Sequence, residues 1–407
     1  MINQQNYKSR ILFLFIIWPF GAFINSIYNY RKNFSKYIFV GFSILFGATF
    51  VVQDITTGAD SAKIFQFFRR VSSLNNQDAL IFLSSNTKDL FFKFSVFILS
   101  RVTDNASALY AFNAFLYSLF FVLSISILIK CISDKVKIES LVFLILFAVY
   151  IRFSAINGLR FWVGAFIYIY SVMKYIFNGE KKYIFLILLT PVVHFSFFFG
   201  VSIFGVYLLI QNNLYISFIF YFIFSIFSFA SIDFISQNIN FLNETQSSAA
   251  LLYLNEYSQS IAAERREEAN WFFKNSGIIA RNFSIYAFIF PSLFLRKVGL
   301  DIIERRLFSF LLLFASALNF VYKSFELYRR FFEIFIMIML AFFFKLSIEN
   351  KIKVKIFPYI VAIFLLPQII LGLRVGMDFL NANLLFSNIF YLPFFENISV
   401  IDFLRGR

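Results

Sequence analysis

Apolar runs of about twenty residues recur from one end of this chain to the other, and that feature restricts the fold most. "SALYAFNAFLYSLFFVLSISILIK" (107–130) and "RFFEIFIMIMLAFFFKLSI" (330–348) are examples. Roughly 20 consecutive apolar residues cross the hydrocarbon layer of a bilayer as a helix. Inside that layer only helices and closed barrels satisfy every backbone polar group, and a barrel would read as short alternating segments. Composition agrees: 60% of the 407 residues are hydrophobic, 14% are charged and 66 are Phe, whereas a soluble domain is about 25% charged. The expectation is an all-α, polytopic integral membrane protein, with residues 1–407 forming a single membrane domain.

Spans are expected near 11–30, 36–53, 105–129, 138–153, 159–177, 183–193, 195–210, 214–232, 277–295, 306–323, 330–346 and 357–374, about twelve in all. Lys8 and Arg10 precede the first run. It is too long for a signal-peptide core and has no small-residue cleavage site, so it reads as an uncleaved span. Pro191 inside 183–210 removes a backbone hydrogen bond and favours a break there. The stretch after Gly376 is too interrupted by Asn and Pro393 to read as a span.

Short basic loops face the cytoplasm. "RKNFSK" (31–36), "KCISDKVK" (130–137), "NGEKK" (178–182), "RKVGLDIIERR" (296–306) and "KLSIENKIKVK" (345–355) all fall on one side if 183–210 crosses twice. Segments 54–104 and 233–275 then lie outside, as do both termini. In 233–275, "AALLYLNEYSQSIA" reads as an amphipathic helix on the membrane surface. In 54–104, "DLFFKFSVFILS" (89–100) is too short to span and suits an interfacial or re-entrant helix. The net charge of +15 follows from this topology and does not require a nucleic-acid partner.

With this topology the 37 basic residues sort by type: 13 Lys and 4 Arg inside, 6 Lys and 14 Arg outside. Inside Lys is ordinary topology; outside Arg opposes it. Arg offers a planar fork suited to phosphate, where Lys is a point charge. The external excess therefore suggests a large anionic ligand, with pairing to acidic residues on the same side as the alternative.

Several residues stand out against this background. Arg160 lies about one turn inside the span "NGLRFWVGAFIYIYSVMKYIF", with Asn157 three residues earlier on the same helix face. An Arg at a membrane-helix centre costs roughly 2.5–3.5 kcal/mol on insertion scales, so either snorkelling to the surface or a partner must offset it. Gly158 would let a ligand approach the backbone. His194, three residues after Pro191, reads as either a packed core residue or a cavity lining. Asp60, in "TTGADSAKIF", reads as a general base or sugar-hydroxyl ligand, or as the N-cap of a helix from Ser61. Glu326, Arg329 and Arg330 cluster at an outer helix junction, where adjacent arginines point to different sides and only one enters the bundle. Arg281 sits in the outer part of its span. Tyr257 and Trp271 suit stacking on sugars, as well as the aromatic belt of a membrane protein. A solvated role fits Arg69, Arg70 and Arg101.

One cysteine, Cys131, excludes an intramolecular disulfide, and one histidine excludes a His-rich metal cluster. No P-loop, G-x-S-x-G, H-E-x-x-H or D-x-D pattern occurs, so neither a metal nor a cofactor is expected.

The order of these motifs resembles the EpsG-like, Wzy-type polysaccharide polymerases of bacterial membranes. The resembling residues are "GAD" at Gly58 to Asp60, "NGLR" at Asn157 to Arg160, "GEKK" at Gly179 to Lys182 and "HFS" at His194 to Ser196, with "YRRFF" and "YLPF" later. The similarity covers most of the chain through short motifs. It departs where Phe65 stands in place of the family's usual Tyr after G-x-D, and where Phe161 follows "NGLR" in place of a polar residue.

The resemblance implies a glycosyltransferase in the cytoplasmic membrane with its site facing the periplasm or exterior. Its donor and acceptor would be undecaprenyl-diphosphate-linked oligosaccharides, joined into O-antigen, capsule or exopolysaccharide. Membrane lipid, and a chain-length regulator protein, would be its other partners. One or two of Arg160, Arg281 and Arg329 would hold the diphosphate as it leaves. Asp60 would accept the hydroxyl proton, and His194 would position. The rivals are an O-antigen ligase, a lipid-linked oligosaccharide flippase or transporter, for which internal repeats would be expected, and an acyltransferase working on the cytoplasmic side.

Overall fold

Apolar side chains that must leave water, on a backbone that must pair its own polar groups, fold here into helices. The computed structural model describes residues 2–52, 60–84, 89–132, 136–151, 155, 158–211, 213–226, 299–322, 324–394 and 396–406, with isolated residues between 271 and 288. No strand occurs among them; one isolated bridge pairs Asn381 with Ser399.

The helices are α1 (Ile2–Ile17), α2 (Pro19–Tyr28), α3 (Asn33–Ala48), α4 (Asp60–Ser73), α5 (Asn76–Ser84), α6 (Leu90–Val102), α7 (Ser107–Lys130) and α8 (Ile138–Val149). There follow α9 (Leu159–Asn178), α10 (Tyr183–Val193), α11 (Phe197–Ile210), α12 (Leu214–Ile226), α13 (Ile302–Phe320), α14 (Phe325–Ile348) and α15 (Phe357–Gly376). Ser107–Lys130, Glu326–Ile348 and Phe357–Gly376 are long and apolar enough to cross a membrane, and Ile138–Val149, Tyr183–Val193, Phe197–Ile210 and Leu214–Ser225 are shorter apolar helices. Most expected spans thus appear as helices within a few residues of their expected bounds. The segments 277–295 and 249–262 lie outside the described residues, apart from the isolated ones.

The first expected span is corrected. Pro19 opens α2, and Trp18 before it leaves helical geometry (φ −148°, ψ 84°), so the run 11–30 folds as a hairpin of two helices. Its N-terminal part returns to the basic loop 31–36: the Tyr7 and Ser35 hydroxyls are 2.9 Å apart, and Lys8 lies over the Phe34 ring. The N-terminus therefore sits at the same end of the bundle as that loop, not at the opposite end.

The basic loops gather at this end. Lys345 pairs with Asp301 at 3.3 Å and with Glu349 at 2.7 Å, and Lys351 pairs with Glu304. The Ser140 hydroxyl meets that of Ser347 at 2.9 Å. Arg306 approaches Gly179, whose φ of +70° closes the turn from α9 to α10. At the other end Asn319 donates to Ser225, and the Val51 N–H donates to the Phe379 carbonyl, which ties the C-terminal segment to α3.

The core runs along α9 and α14. Nearly every residue of α14 from Phe331 to Leu346 is buried, as are Phe161, Phe166, Tyr168, Ile169, Met173 and Ile176 of α9. Buried serines return their hydroxyls to their own helices: Ser43 to Phe39 O, Ser95 to Phe91 O, Ser124 to Phe120 O, Ser171 to Ile167 O and Ser316 to Leu312 O. This satisfies the hydroxyl where no solvent reaches it.

Small residues let α3 and α7 touch. A Cβ on Gly47 would lie 2.5 Å from the Tyr110 carbonyl, 2.7 Å from Ala114 Cβ and 2.8 Å from Ala111 Cα. Two of these are backbone atoms, which cannot swing aside. Gly47→Ala is expected to cost about 1–3 kcal/mol, read as a lowered thermal unfolding midpoint in detergent. Gly205→Ala, which meets nothing within 4 Å, is expected not to lower it.

Candidate functional site

Five helix ends meet at the end of the bundle opposite the basic loops: the first turns of α6, α9 and α14, the last of α10 and the first of α11. Pro191 is followed within three residues by the end of α10. His194 is then extended (φ −150°, ψ 124°), with its N–H on the Thr190 carbonyl, and α11 begins at Phe197. This tight corner turns the Phe195 N–H away from helical bonding and towards a neighbour.

That neighbour is Asp89. Its Oδ1 accepts the Phe195 N–H at 3.0 Å, and its Oδ2 accepts Arg160 Nη1 at 2.7 Å. The carboxylate thus joins α6 to α9 and to the α10–α11 corner. Asp89 is 9% exposed while the Arg160 side chain is 42% exposed, so the anion is buried and the cation reaches the surface. The guanidinium carbon also lies 5.2 Å from the Phe92 ring centre. Asp89 adopts the left-handed conformation (φ 51°, ψ 53°). Asp tolerates it better than most residues, at roughly 1–2 kcal/mol. Its own carbonyl accepts the Phe92 and Lys93 N–H groups and opens α6.

His194 is buried beside this pair. Its Nδ1 receives the Ser196 backbone N–H at 3.2 Å and lies 2.8 Å from Ser196 Oγ. A backbone N–H can only donate, so Nδ1 is the acceptor and the hydrogen-bond pattern assigns the ring proton to Nε2. The imidazole meets Phe161 edge to face at 5.6 Å, and Arg330 lies over the same Phe161 ring at 5.3 Å. One phenyl ring therefore links the histidine to a second guanidinium.

The Arg329–Arg330 pair divides as the helix requires. Arg330 turns inward to Phe161, with its Nε 3.4 Å from Glu326. Arg329 holds Glu326 at 3.0 Å and Glu333 at 3.9 Å. For Arg160, Arg329 and Arg330 the alternative of acidic pairing is therefore realised. A partly exposed guanidinium with a single bonded nitrogen can still accept an anionic guest, because it carries five N–H donors.

The remaining expected residues divide into three groups. Asp60 is the first residue of α4 rather than the cap before it, and its side chain lies outside the described residues. α4 and α6 run in the same direction, with Phe67 against Phe92 and Arg101 on the Val71 and Leu74 carbonyls, so Asp60 and Asp89 begin their helices at the same end. Asn157, Tyr257 and Arg281 lie outside the described residues. Trp271 is 71% exposed and meets no member of the cluster among the described residues. A Cβ at Gly158 would approach the Trp162 ring to 3.0 Å, so a neighbouring side chain occupies that approach.

Asp89 was not among the expected residues. Its local signal is a carboxylate directly before an apolar helix, "DLFF". No group of three or more potential metal ligands occurs among the described residues. The chain matches no known family model, curated protein or solved structure.

Asp89→Asn keeps an acceptor for the Phe195 N–H but removes the charge facing Arg160. With Arg160 half exposed, the expected loss is about 1–2 kcal/mol. Adding Arg160→Gln is expected to recover part of that loss. Unfolding midpoints of the two single variants and the double variant, measured in one detergent, check it; strict additivity would mean the pair is not coupled.

Proposed function

We propose that this chain is a multi-pass bacterial inner-membrane glycosyltransferase that extends polysaccharide from undecaprenyl-diphosphate-linked repeat units, with its site on the periplasmic or outer face. The observation carrying this reading is the cluster opposite the basic loops. There Arg160 presents a partly exposed guanidinium anchored by Asp89, and Arg330 and His194 share the Phe161 ring. If basic loops mark the cytoplasmic side, that cluster faces outward. The motif resemblance supplies the reaction class.

In this reading the acceptor hydroxyl oxygen attacks the anomeric carbon of the donor sugar. The bond from that carbon to the lipid diphosphate breaks, and the diphosphate leaves with the electron pair. Arg160, held through Nη1 by Asp89, offers its remaining N–H groups to the diphosphate, and Arg330 adds a second positive group. Such pre-oriented donors, aimed at charge that develops during reaction, contribute most of the rate in comparable transfers. Asp60 takes the acceptor proton. His194, neutral with its proton on Nε2, positions a sugar or phosphate oxygen as a donor. The energy comes from the sugar–diphosphate bond, so no nucleotide site is needed.

Deletion of the gene, followed by sizing of the surface glycan, tests the reaction class. A single-repeat product is the expected result. Full-length lipid-linked chains accumulating untransferred would point instead to a ligase, and units trapped on the cytoplasmic face to a flippase. At the residue level, Arg160→Ala is expected to abolish chain growth at normal membrane levels of protein, a loss on the order of 10²–10³-fold. Retained growth would remove Arg160 from the mechanism.

A further inference from the structure

Pairing accounts for Arg160, Arg329, Arg330 and Arg374, each of which meets a carboxylate. Arg69 and Arg70 on α4 differ. Both are exposed, and neither meets an acidic group among the described residues; their guanidinium groups lie over the Phe65 and Phe82 rings. Lys63 is exposed on the same helix. Arg101 spends its donors on the Val71 and Leu74 carbonyls and likewise has no carboxylate partner there.

Beside these cations α6 carries an apolar stripe on its outward face. Leu90, Phe94, Ile98 and Val102 follow one another at four-residue spacing and are 45–79% exposed, while Phe92, Ser95, Val96 and Ser100 face inward and are buried. α5 adds the exposed Leu80 and Ile81. Water is a poor partner for such a surface. A helix with one apolar face beside unpaired cations has the pattern that lies in a headgroup layer, its apolar side several ångströms into the acyl boundary.

We propose that α4–α6 is a lipid-docking module for an anionic bilayer surface. The α6 stripe enters the acyl boundary, and Arg69 and Arg70 meet lipid phosphates. The occupant is the headgroup layer itself, argued from two features on neighbouring helices: unpaired positive charge and an apolar stripe. The proposal needs the bundle to sit in a bilayer but does not depend on the glycosyl-transfer reading. It gives the docking a structural consequence, because the residue that begins the α6 stripe directly follows Asp89. A lipid-seated α6 therefore fixes the carboxylate that holds Arg160 and the Phe195 N–H.

The test uses the full chain in lipid nanodiscs with its single cysteine, Cys131, replaced by Ser. Nitroxide is attached at Phe94→Cys, at Ile98→Cys and, as an exposed control in the loop between α14 and α15, at Lys353→Cys. Collision of each label with oxygen and with a water-soluble nickel chelate reports its depth. In phosphatidylglycerol discs the labels at 94 and 98 are expected to favour oxygen several-fold over the control. Arg69→Glu with Arg70→Glu is expected to shift both towards the nickel chelate. Nickel access at 94 and 98 equal to the control would overturn the proposal, leaving the face to solvent, glycan or protein. Equal depth in phosphatidylcholine and phosphatidylglycerol discs would overturn its charge component, and spin–spin broadening between copies would replace the lipid with a second chain. All of these readouts are independent of any transferase assay.

Discussion

A charge packed among apolar helices has to meet its opposite, and the architecture at one end of this bundle follows from that requirement. Arg160 opens α9 beside a phenyl-rich core, where an unpartnered guanidinium is expensive. Asp89 supplies the counter-charge from a helix 71 residues earlier in the chain. A buried carboxylate is itself costly unless its lone pairs are used, and its second oxygen takes the Phe195 N–H that the tight corner after Pro191 leaves without a helical partner. The three requirements close on one another. At the other end the fully buried Glu304 meets both the Asp301 N–H and Lys351 through Oε2, while its Oε1 has no hydrogen-bond partner among the described residues.

The two ends handle charge with different chemistry. Among the basic loops, lysines meet acidic groups along turns and helix termini: Lys345 with Asp301 and Glu349, Lys174 and Lys182 with Glu180. A compact, well-hydrated ammonium suits a site at the edge of water. At the opposite end the cations that meet Asp89 and Glu326 are arginines, with Arg160 over Phe92 and Arg330 over Phe161, while rings at the basic end carry mainly lysines, as Lys32 over Tyr7 and Lys182 over Tyr183. A delocalised, weakly hydrated guanidinium tolerates such ring faces and gains from them.

Local patterns in the sequence account for most of the helices, because an apolar run of a given length imposes a helix wherever it lies. The break at Pro191 and the division of Arg329 from Arg330 are also local, and both follow from backbone chemistry and helix geometry. The hairpin at Trp18–Pro19 obeys the proline rule that applies at Pro191; there the continuous apolar character of 11–30 masked it. Asp89 was illegible for a different reason. Its meaning lies in partners on α9 and at the α10–α11 corner, and nothing within its own segment separates a capping carboxylate from an ion-pair partner. Likewise the arginines away from the basic loops mix two populations, those that meet a carboxylate and those that meet none among the described residues, that only the packing distinguishes.

That division bears on how a neutralised arginine serves an anionic ligand. Asp89 contacts Arg160 through a single nitrogen and lies behind it, buried, while the guanidinium extends into partial exposure. The carboxylate has therefore already met much of the cost of holding the cation beside the core. An arriving phosphate need not displace it, since the remaining N–H donors point elsewhere. A free arginine would bind an anion with more net charge but would first have to be ordered, losing side-chain freedom on the order of 2 kcal/mol. Pre-organisation offsets part of the lost Coulomb attraction. A site built this way favours ligands that reach it in a defined orientation, as a headgroup held at a membrane surface does.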